Sequence, residues 1–414
     1  MNLGLEQLPP SCEVLVVGAG PAGSAAAHRL GRAGRDVVLV DQHAFPRDKV
    51  CGDGLIADAL RALERLGVKE QVLAEARVSA TLGCIGPRGG RIDVPGSLVV
   101  LPRKRLDEIV CRAAVAAGAR MFAPLRFVAP RRESGRVVGA KLEQGGEGRE
   151  IRAAWVVLAT GAQPQATLAA GLCERRAPSG IALRGYVKNA AMTARITSLE
   201  VVWHKRLSPG YGWIFPCGGD RFNIGVGVAQ NPPRDGKGGR APQHLNLRAA
   251  FAAFQALYAP ARELVEGGEW LAEPGEELKG APLRCSLEGA QVEAPGILVC
   301  GEAAGSTYAL TGEGIGKAME TALHAAEAIL AGAGDDAAVR ADYRSRIESL
   351  QPRFDLYAQA HRAVAHPWLV DLLVWSAQRS PRRLQRLAGV LEETYLPTDA
   401  MTVRGVLRRV FDRR

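Results

Sequence analysis

Val14-Leu15-Val16-Val17-Gly18-Ala19-Gly20-Pro21-Ala22-Gly23, followed after an alanine-rich stretch to Ala33 by Val37-Val38-Leu39-Val40-Asp41, decides the fold of this chain. A β-branched run, a glycine turn, a helical stretch, a second apolar run and a terminal acid are the parts of a βαβ dinucleotide unit in their order. Gly18 permits the tight turn, Gly20 lets the backbone approach a pyrophosphate, and Gly23 lets the helix pack close on its strand, with Ala22 between them in the first turn. The helix N-terminus then faces the phosphates. Asp41, 23 positions after Gly18, is placed to accept hydrogen bonds from an adenosine ribose, which favours FAD or NAD over NADP. In a chain with 48 glycines a lone glycine motif arises by chance, so the site rests on the agreement of strand, helix, second strand and acid.

The rest of the composition sets bounds. With 414 residues, 47% apolar and 23% charged, the chain is a folded globular protein of two domains or of one domain with large insertions. Lys plus Arg exceed Asp plus Glu by 53 to 43, a net charge of +10, which points to an anionic ligand or surface. Aromatic content is 5%, and no basic stretch interleaved with aromatics is present to stack bases, so nucleic acid is not expected. The eight cysteines are scattered without a Cys-x-x-Cys pair, so no metal site is expected. Neither a basic leader with an apolar run nor eighteen uninterrupted apolar residues occurs. These features predict a cytoplasmic, reduced-thiol protein without a transmembrane span.

Further along, an amphipathic helix is expected around Leu55, Leu60, Leu63 and Leu66, another over 106–117, and hairpin strands over 136–158 ending in Trp155-Val156-Val157-Leu158. Residues 181–228 read as strands, 231–242 as an exposed loop, 297–300 as a buried strand, 315–330 as a helix, and the chain from Asp335 as helical and basic. From Val339 onward 14 arginines stand against 8 acids, more than half of the net charge. Within that part Arg404, Arg408 and Arg409 alternate with Val403, Val406, Leu407, Val410 and Phe411, the pattern of a basic amphipathic helix for peripheral membrane contact or of a solvated basic surface.

Two glycine-rich segments, Gly301-Glu302-Ala303-Ala304-Gly305 and Leu310-Thr311-Gly312-Glu313-Gly314-Ile315, flank a second strand-to-helix turn that offers backbone N–H groups to anionic atoms. With Pro46-Arg47-Asp48-Lys49-Val50-Cys51-Gly52 and Pro209-Gly210-Tyr211-Gly212-Trp213-Ile214-Phe215-Pro216 added, the chain resembles the geranylgeranyl reductase family of FAD-dependent oxidoreductases, within the aromatic hydroxylase-type flavoproteins. The resemblance covers most of the chain. It implies an α/β fold: a Rossmann-like FAD-binding domain (1–77, 98–177 and 283–332), an inserted antiparallel β-sheet substrate domain (78–97 and 178–282), and a helical C-terminal part (333–414).

It further implies that Gly18, Gly20, Gly23 and Asp41 hold the adenosine diphosphate half of FAD and that Arg103 lies near the flavin phosphates. Gly301 and Glu302 match a Gly-Asp pair on the ribitol, where Glu302 is one methylene longer than the usual acid. Thr311, Gly312, Glu313 and Gly314, with Ile315 opening the helix, match the loop over the isoalloxazine, and Cys51 and Gly52 match a loop on one face of that ring. Hydroxylase relatives carry an Asp-Gly motif where this chain has Ala159-Thr160-Gly161-Ala162-Gln163, which leaves the electron donor open between NAD(P)H and ferredoxin.

The activity implied is reduction of isolated double bonds in a prenyl chain, with a hydrophobic small molecule or lipid as substrate. Cys51 then reads as a proton donor or as a small buried filler, Tyr211 as a second proton donor or a turn residue, and Trp213 with Phe215 as the lining of an isoprenoid tunnel or as core. The competing reading of the same scaffold is a flavin monooxygenase acting on an aromatic or isoprenoid compound. Halogenation is disfavoured because no Trp-x-Trp-x-Ile-Pro segment is present.

Overall fold

The computed structural model describes residues 2–173, 177–229, 246–288 and 291–397. The stretch expected as a loop at 231–242 and the basic amphipathic pattern at 403–411 lie outside the described residues.

The chain opens with β1 (Ser11–Val17), α1 (Pro21–Arg32) and β2 (Val37–Val40). Pro21 occupies the first turn of α1, where its missing N–H leaves nothing unpaired and its fixed φ suits the helix. A long loop then leads to β3 (Gly54–Leu55), α2 (Ala57–Arg65), α3 (Lys69–Glu75) and the paired strands β4 (Arg77–Ile85) and β5 (Arg91–Val100). After α4 (Arg103–Ala116) come β6 (Arg120–Phe122), β7 (Arg126–Glu133), β8 (Arg136–Gln144), β9 (Glu147–Leu158) and the short α5 (Gln165–Ala169). Next are β10 (Gly180–Lys188), β11 (Leu199–Val202), β12 (Gly210–Gly218), β13 (Arg221–Ala229), α6 (Leu247–Leu257) and α7 (Ala259–Glu266). Short strands β14 (Glu269–Trp270), β15 (Lys279–Leu283), β16 (Glu293–Ala294) and β17 (Ile297–Val299) precede the helices α8 (Ile315–Ala331), α9 (Asp336–Val364), α10 (Pro367–Gln378) and α11 (Pro381–Leu391).

The strands form two sheets. In the first, β17, β9, β1, β2 and β6 lie parallel in that order. Both faces are covered by other elements, which is why Val14 to Val17, Val37 to Val40 and Val156 to Leu158 are uninterrupted apolar runs rather than alternating ones. β9 changes character along its length: its first half pairs antiparallel with β8 and its second half parallel with β1. On one side of this sheet α1 packs between α4 and α8. Ala25, Ala26 and Ala27 of α1 and Ala322, Ala325 and Ala326 of α8 are fully buried, and such small side chains let helix backbones approach closely.

The second sheet runs β14-β10-β13-β12-β11-β4-β5-β3, with β15 also on β10. One face is sealed by α6 and α7, where Phe251, Phe254 and Leu264 meet Ile214, Ile224 and Val226. Tyr211, Trp213 and Phe215, alternating with those buried residues along β12, point to the opposite face. On that same face α10 and α11 cover β4 and β5 through Val374, Ala377 and Leu384 against Ile92 and Val94.

The fold is thus the α/β class expected, with a Rossmann-like sheet, a largely antiparallel second sheet and a helical C-terminal part. Local differences have local causes. Leu55 lies in β3 rather than in the helix that follows, because it pairs with Val99. β7 was not anticipated: it pairs with β8 alone and contains Pro130 with several charges, so it reads as a loop and survives as an edge strand. α4 begins at Arg103, ahead of the apolar pattern, and the first-turn pair of Arg103 with Asp107 occupies that start.

The alanine seam between α1 and α8 yields a test. Ala26→Leu should destabilise the protein by about 1–3 kcal/mol through overpacking, read as a lowered denaturant midpoint with unchanged slope.

Candidate active site

The C-terminal ends of β1, β2, β9 and β17 open on one crevice, where an open parallel sheet places its ligands. Gly18 stands at φ 101°, and a Cβ there would sit 2.3 Å from the Ala159 carbonyl oxygen. A Cβ on Gly23 would sit 1.7 Å from the Gly18 carbonyl oxygen, so this glycine is what lets α1 close on β1. Gly20 differs: its backbone is ordinary, and a Cβ would meet only Arg47 Nη2 at 3.5 Å and Arg103 Nη2 at 4.0 Å. The open side of the turn therefore faces two guanidinium groups at the N-terminus of α1, an arrangement suited to a pyrophosphate.

Buried acids hold those guanidinium groups. Asp107, wholly buried, accepts from Arg103 Nε at 2.7 Å and Nη2 at 2.9 Å, and from Arg47 Nη1 at 3.0 Å. Asp41 accepts from the Ala19 and His43 backbone N–H groups at 2.9 Å each and lies 3.5 Å from Arg47 Nε. Arg47 was not singled out in the sequence, although it lies in the quoted Pro46-to-Gly52 motif; only its approach to Asp107, 60 positions away, assigns it to this site.

The opposite wall comes from the segment after β17. Gly301, at φ 66°, donates its N–H to Thr321 Oγ1 at 2.9 Å, and a Cβ on it would sit 2.7 Å from Ala22 Cβ, so these two residues meet at the start of α1. Glu302 lies in the single helical turn Gly301–Ala304, its Oε1 3.5 Å from the Arg284 N–H. In the loop before α8, Gly312 stands at φ 69°, Thr311 accepts from the Tyr211 hydroxyl at 2.7 Å, and the Gly314 position lies against Thr307. Ile315 is the first residue of α8. Burial and the neighbouring Asp58 push the Glu313 carboxyl well above the usual carboxylate range.

The second sheet is joined to this crevice by a polar knot that sequence reading missed. Asn223 on β13 donates from Nδ2 to the Cys51 carbonyl at 2.8 Å and to Asp53 Oδ2 at 2.7 Å, while its Oδ1 accepts from Trp213 Nε1 at 2.9 Å. Asp53, fully buried in a left-handed conformation at φ 65°, also accepts from the Tyr186 hydroxyl at 2.5 Å and from the Arg103 N–H at 3.1 Å. The Arg103 N–H on Asp53, two residues after Cys51, links the glycine turn to the loop that carries the thiol. A Cβ on Gly52 would sit 3.2 Å from the Phe215 ring and 3.5 Å from Trp213 Nε1. Trp203, Tyr211, Trp213 and Phe215 form a row with ring centroids 5.9, 6.3 and 6.4 Å apart, ending at this glycine. Trp213 lies flat against Gly225, where a Cβ would come within 2.4 Å of its ring.

These residues fit FAD. Besides the cradle at Gly20, the buried hydroxyls of Thr160 and Ser306 lack partners among the described residues, and Thr160 abuts Gly18. Gly18, Gly20, Arg47 and Arg103 would hold the diphosphate, Asp41 the ribose, and 311–314 with the start of α8 the flavin ring.

Two outcomes follow from this geometry. Gly20→Val should purify without bound flavin, seen as loss of the visible absorbance, because its branches would fill the cradle between Arg47 and Arg103. For Asp53, burial raises the carboxyl from 3.8 to about 6 despite its hydrogen bonds. Stability from this group is then fully present below about pH 4 and is lost as pH rises through about 6. Relative to Asp53→Asn, the wild-type unfolding free energy should fall by about 3 kcal/mol across that window, measured by denaturant titration at each pH.

Residues 11–223 match the family model described as an FAD binding domain. The chain is 34% identical over 339 residues to the menaquinone reductase of Mycolicibacterium smegmatis, covering 78% of each protein. It is 30% identical over 322 residues to digeranylgeranylglycerophospholipid reductase 1 of Methanopyrus kandleri, covering 74% of this chain and 77% of that one. A geranylgeranyl bacteriochlorophyll reductase-like protein from Thermoplasma acidophilum shares the fold with a TM-score of 0.72 at 21% identity, over 97% of this chain and 96% of that one. The glycine cradle, the arginine pair and these likenesses agree, and the chain belongs to the geranylgeranyl reductase family of FAD-dependent oxidoreductases.

Proposed function

We propose that the protein reduces isolated carbon–carbon double bonds of a geranylgeranyl or other isoprenoid chain. The observation that carries this reading is the aromatic row on the second sheet, which ends against Gly52, the residue that follows Cys51 in the chain. The names of the relatives support it, since one acts on menaquinone and another on digeranylgeranylglycerophospholipid. The reading carries with it the division into FAD, substrate and C-terminal parts set out above, and a cytoplasmic protein that meets its lipid at a membrane surface.

An unactivated alkene is a poor hydride acceptor, so the protein must keep the site dry, stabilise developing positive charge and deliver a proton. When bound, FAD supplies the hydride. Trp213 is nearly buried and its N–H is committed to Asn223, leaving its ring to pack on a prenyl chain, and the aromatic faces stabilise a developing cation. Cys51 is the proton donor. Its proton passes to the second alkene carbon. Tyr211 holds the flavin loop to the substrate sheet: its hydroxyl proton is engaged by the Thr311 carbonyl, and burial raises its pKa.

The decisive experiment is anaerobic. The flavoprotein, reduced with dithionite, should be reoxidised by a geranylgeranyl substrate, with product mass showing two added hydrogens per double bond. Flavin that stays reduced until oxygen enters, with oxygen then appearing in the product, would replace this reading with a monooxygenase. In the same assay Cys51→Ala should slow alkene reduction by about a hundredfold or more, with flavin content and its reduction by dithionite unchanged.

A further inference from the structure

We infer that the outer face of α10 and α11 docks the protein on an anionic phospholipid bilayer. α10 buries Leu369, Val370, Val374 and Ala377, yet Trp368 and Trp375 remain 49% and 48% exposed. These two tryptophans are seven residues apart, about 10 Å along the axis, and with Leu372 and Arg379 they form one stripe. The Arg379 guanidinium stacks 4.5 Å above the Trp375 ring. Tryptophan and arginine side by side on an exposed helix suit the headgroup layer, where an indole has an apolar body and a wet edge.

The charge on this face is uncompensated. On α11 Arg382 and Arg386 are exposed and make no ion pair among the described residues. Asp371 of α10 is turned to Arg88, from whose backbone N–H it accepts at 3.0 Å and whose Nε lies 3.7 Å away. Both helices pack their inner faces on β4 and β5, so the tryptophans and arginines are directed away from the same strand pair. A negatively charged lipid surface is the complement of such a face.

The position of the face favours a bilayer over a protein partner. α10 and α11 cover the face of the substrate sheet that bears the aromatic row, and Leu391 of α11 packs in one cluster with Phe215. At the other end of the row, the turn after Trp203 is tied to the start of α10 by Ser208 Oγ donating to the Ala365 carbonyl at 3.0 Å. Docked through Trp368 and Trp375, the protein brings the Trp203 end of the row close to the lipid headgroups. The choice of a bilayer rests on the isoprenoid reading above, because a chain insoluble in water must be taken up where it dissolves.

Vesicle flotation of the FAD-loaded protein tests the surface without turnover. The protein should float with vesicles containing phosphatidylglycerol, less with pure phosphatidylcholine, and progressively less as salt rises. Arg382→Glu/Arg386→Glu should lower partitioning onto the anionic vesicles at least tenfold, on the order expected for removing two surface cations. Trp368→Ser/Trp375→Ser should weaken binding to both compositions, and unchanged flavin content and melting temperature would show that each variant is folded. Flotation of both double variants equal to wild type, or no flotation of wild type, overturns the proposal. So does a wild-type dimer that the tryptophan variant converts to monomer, since a second copy would then be the occupant. If flotation behaves as expected while the reduced flavin ignores prenyl substrates, the docking surface stands and the reductase reading falls.

Discussion

The side chain of Asn223 holds the two halves of the site in register. Its amide spans from the Trp213 indole on one side to the Cys51 carbonyl and the Asp53 carboxylate on the other, so the second sheet and the thiol-bearing loop are held together. Asn223 is fully buried, and a buried amide left unpaired costs about 1–3 kcal/mol per group, which makes this arrangement far better than its near alternatives. The left-handed backbone of Asp53 persists because Asn223, Tyr186 and the Arg103 N–H all converge on its carboxyl. Arg103 then carries the same constraint to the pyrophosphate turn.

Charge is managed by pairing throughout the interior. Arg47 and Arg103 share Asp107, and Arg47 also lies against Asp41, so both guanidinium groups are fixed in direction at the glycine turn. A second buried cluster fastens the C-terminal helices to the start of α8: Lys317 lies 3.4 Å from Asp58, 2.8 Å from Glu320 and 2.9 Å from Glu393. Tyr308, stacked on Tyr357 of α9 with centroids 3.8 Å apart, closes the same region. Breaking such a buried pair leaves an unpaired charge, so the helical part is bound tightly to the loop that would carry the flavin ring. Gly316 makes the approach feasible, since a Cβ there would overlap the Asp58 carboxyl at 2.1 Å.

How much of this was legible differs residue by residue. The turn at Gly18, the start of α1 after Gly20 and the end of β2 before Asp41 could be read directly as structure, because they are fixed by neighbours within a few tens of residues. Trp213 and Phe215 stood open between core and lining. The structure packs the Trp213 ring on Gly225 with its N–H bonded and sets Phe215 against Gly52. Nothing in the sequence around Asp53 marks it, because its partners Tyr186 and Asn223 lie 133 and 170 positions away. Leu369 and Trp368 are adjacent apolar residues in a helix whose pattern is apolar nearly all round, so periodicity alone could not say which was buried.

By itself the sequence determined the parallel βαβ unit, the place of the dinucleotide crevice and the flavoprotein class, since these depend on glycine spacing and strand character that act locally. Only the tertiary structure decided that Arg47 joins Arg103 beside Gly20, that Asn223 and Asp53 hold the Cys51 backbone, and which faces of α10 and α11 stay open. Those outcomes depend on which distant segments meet in the low-dielectric interior, where a buried polar group is stable only when a partner from elsewhere in the chain arrives to satisfy it.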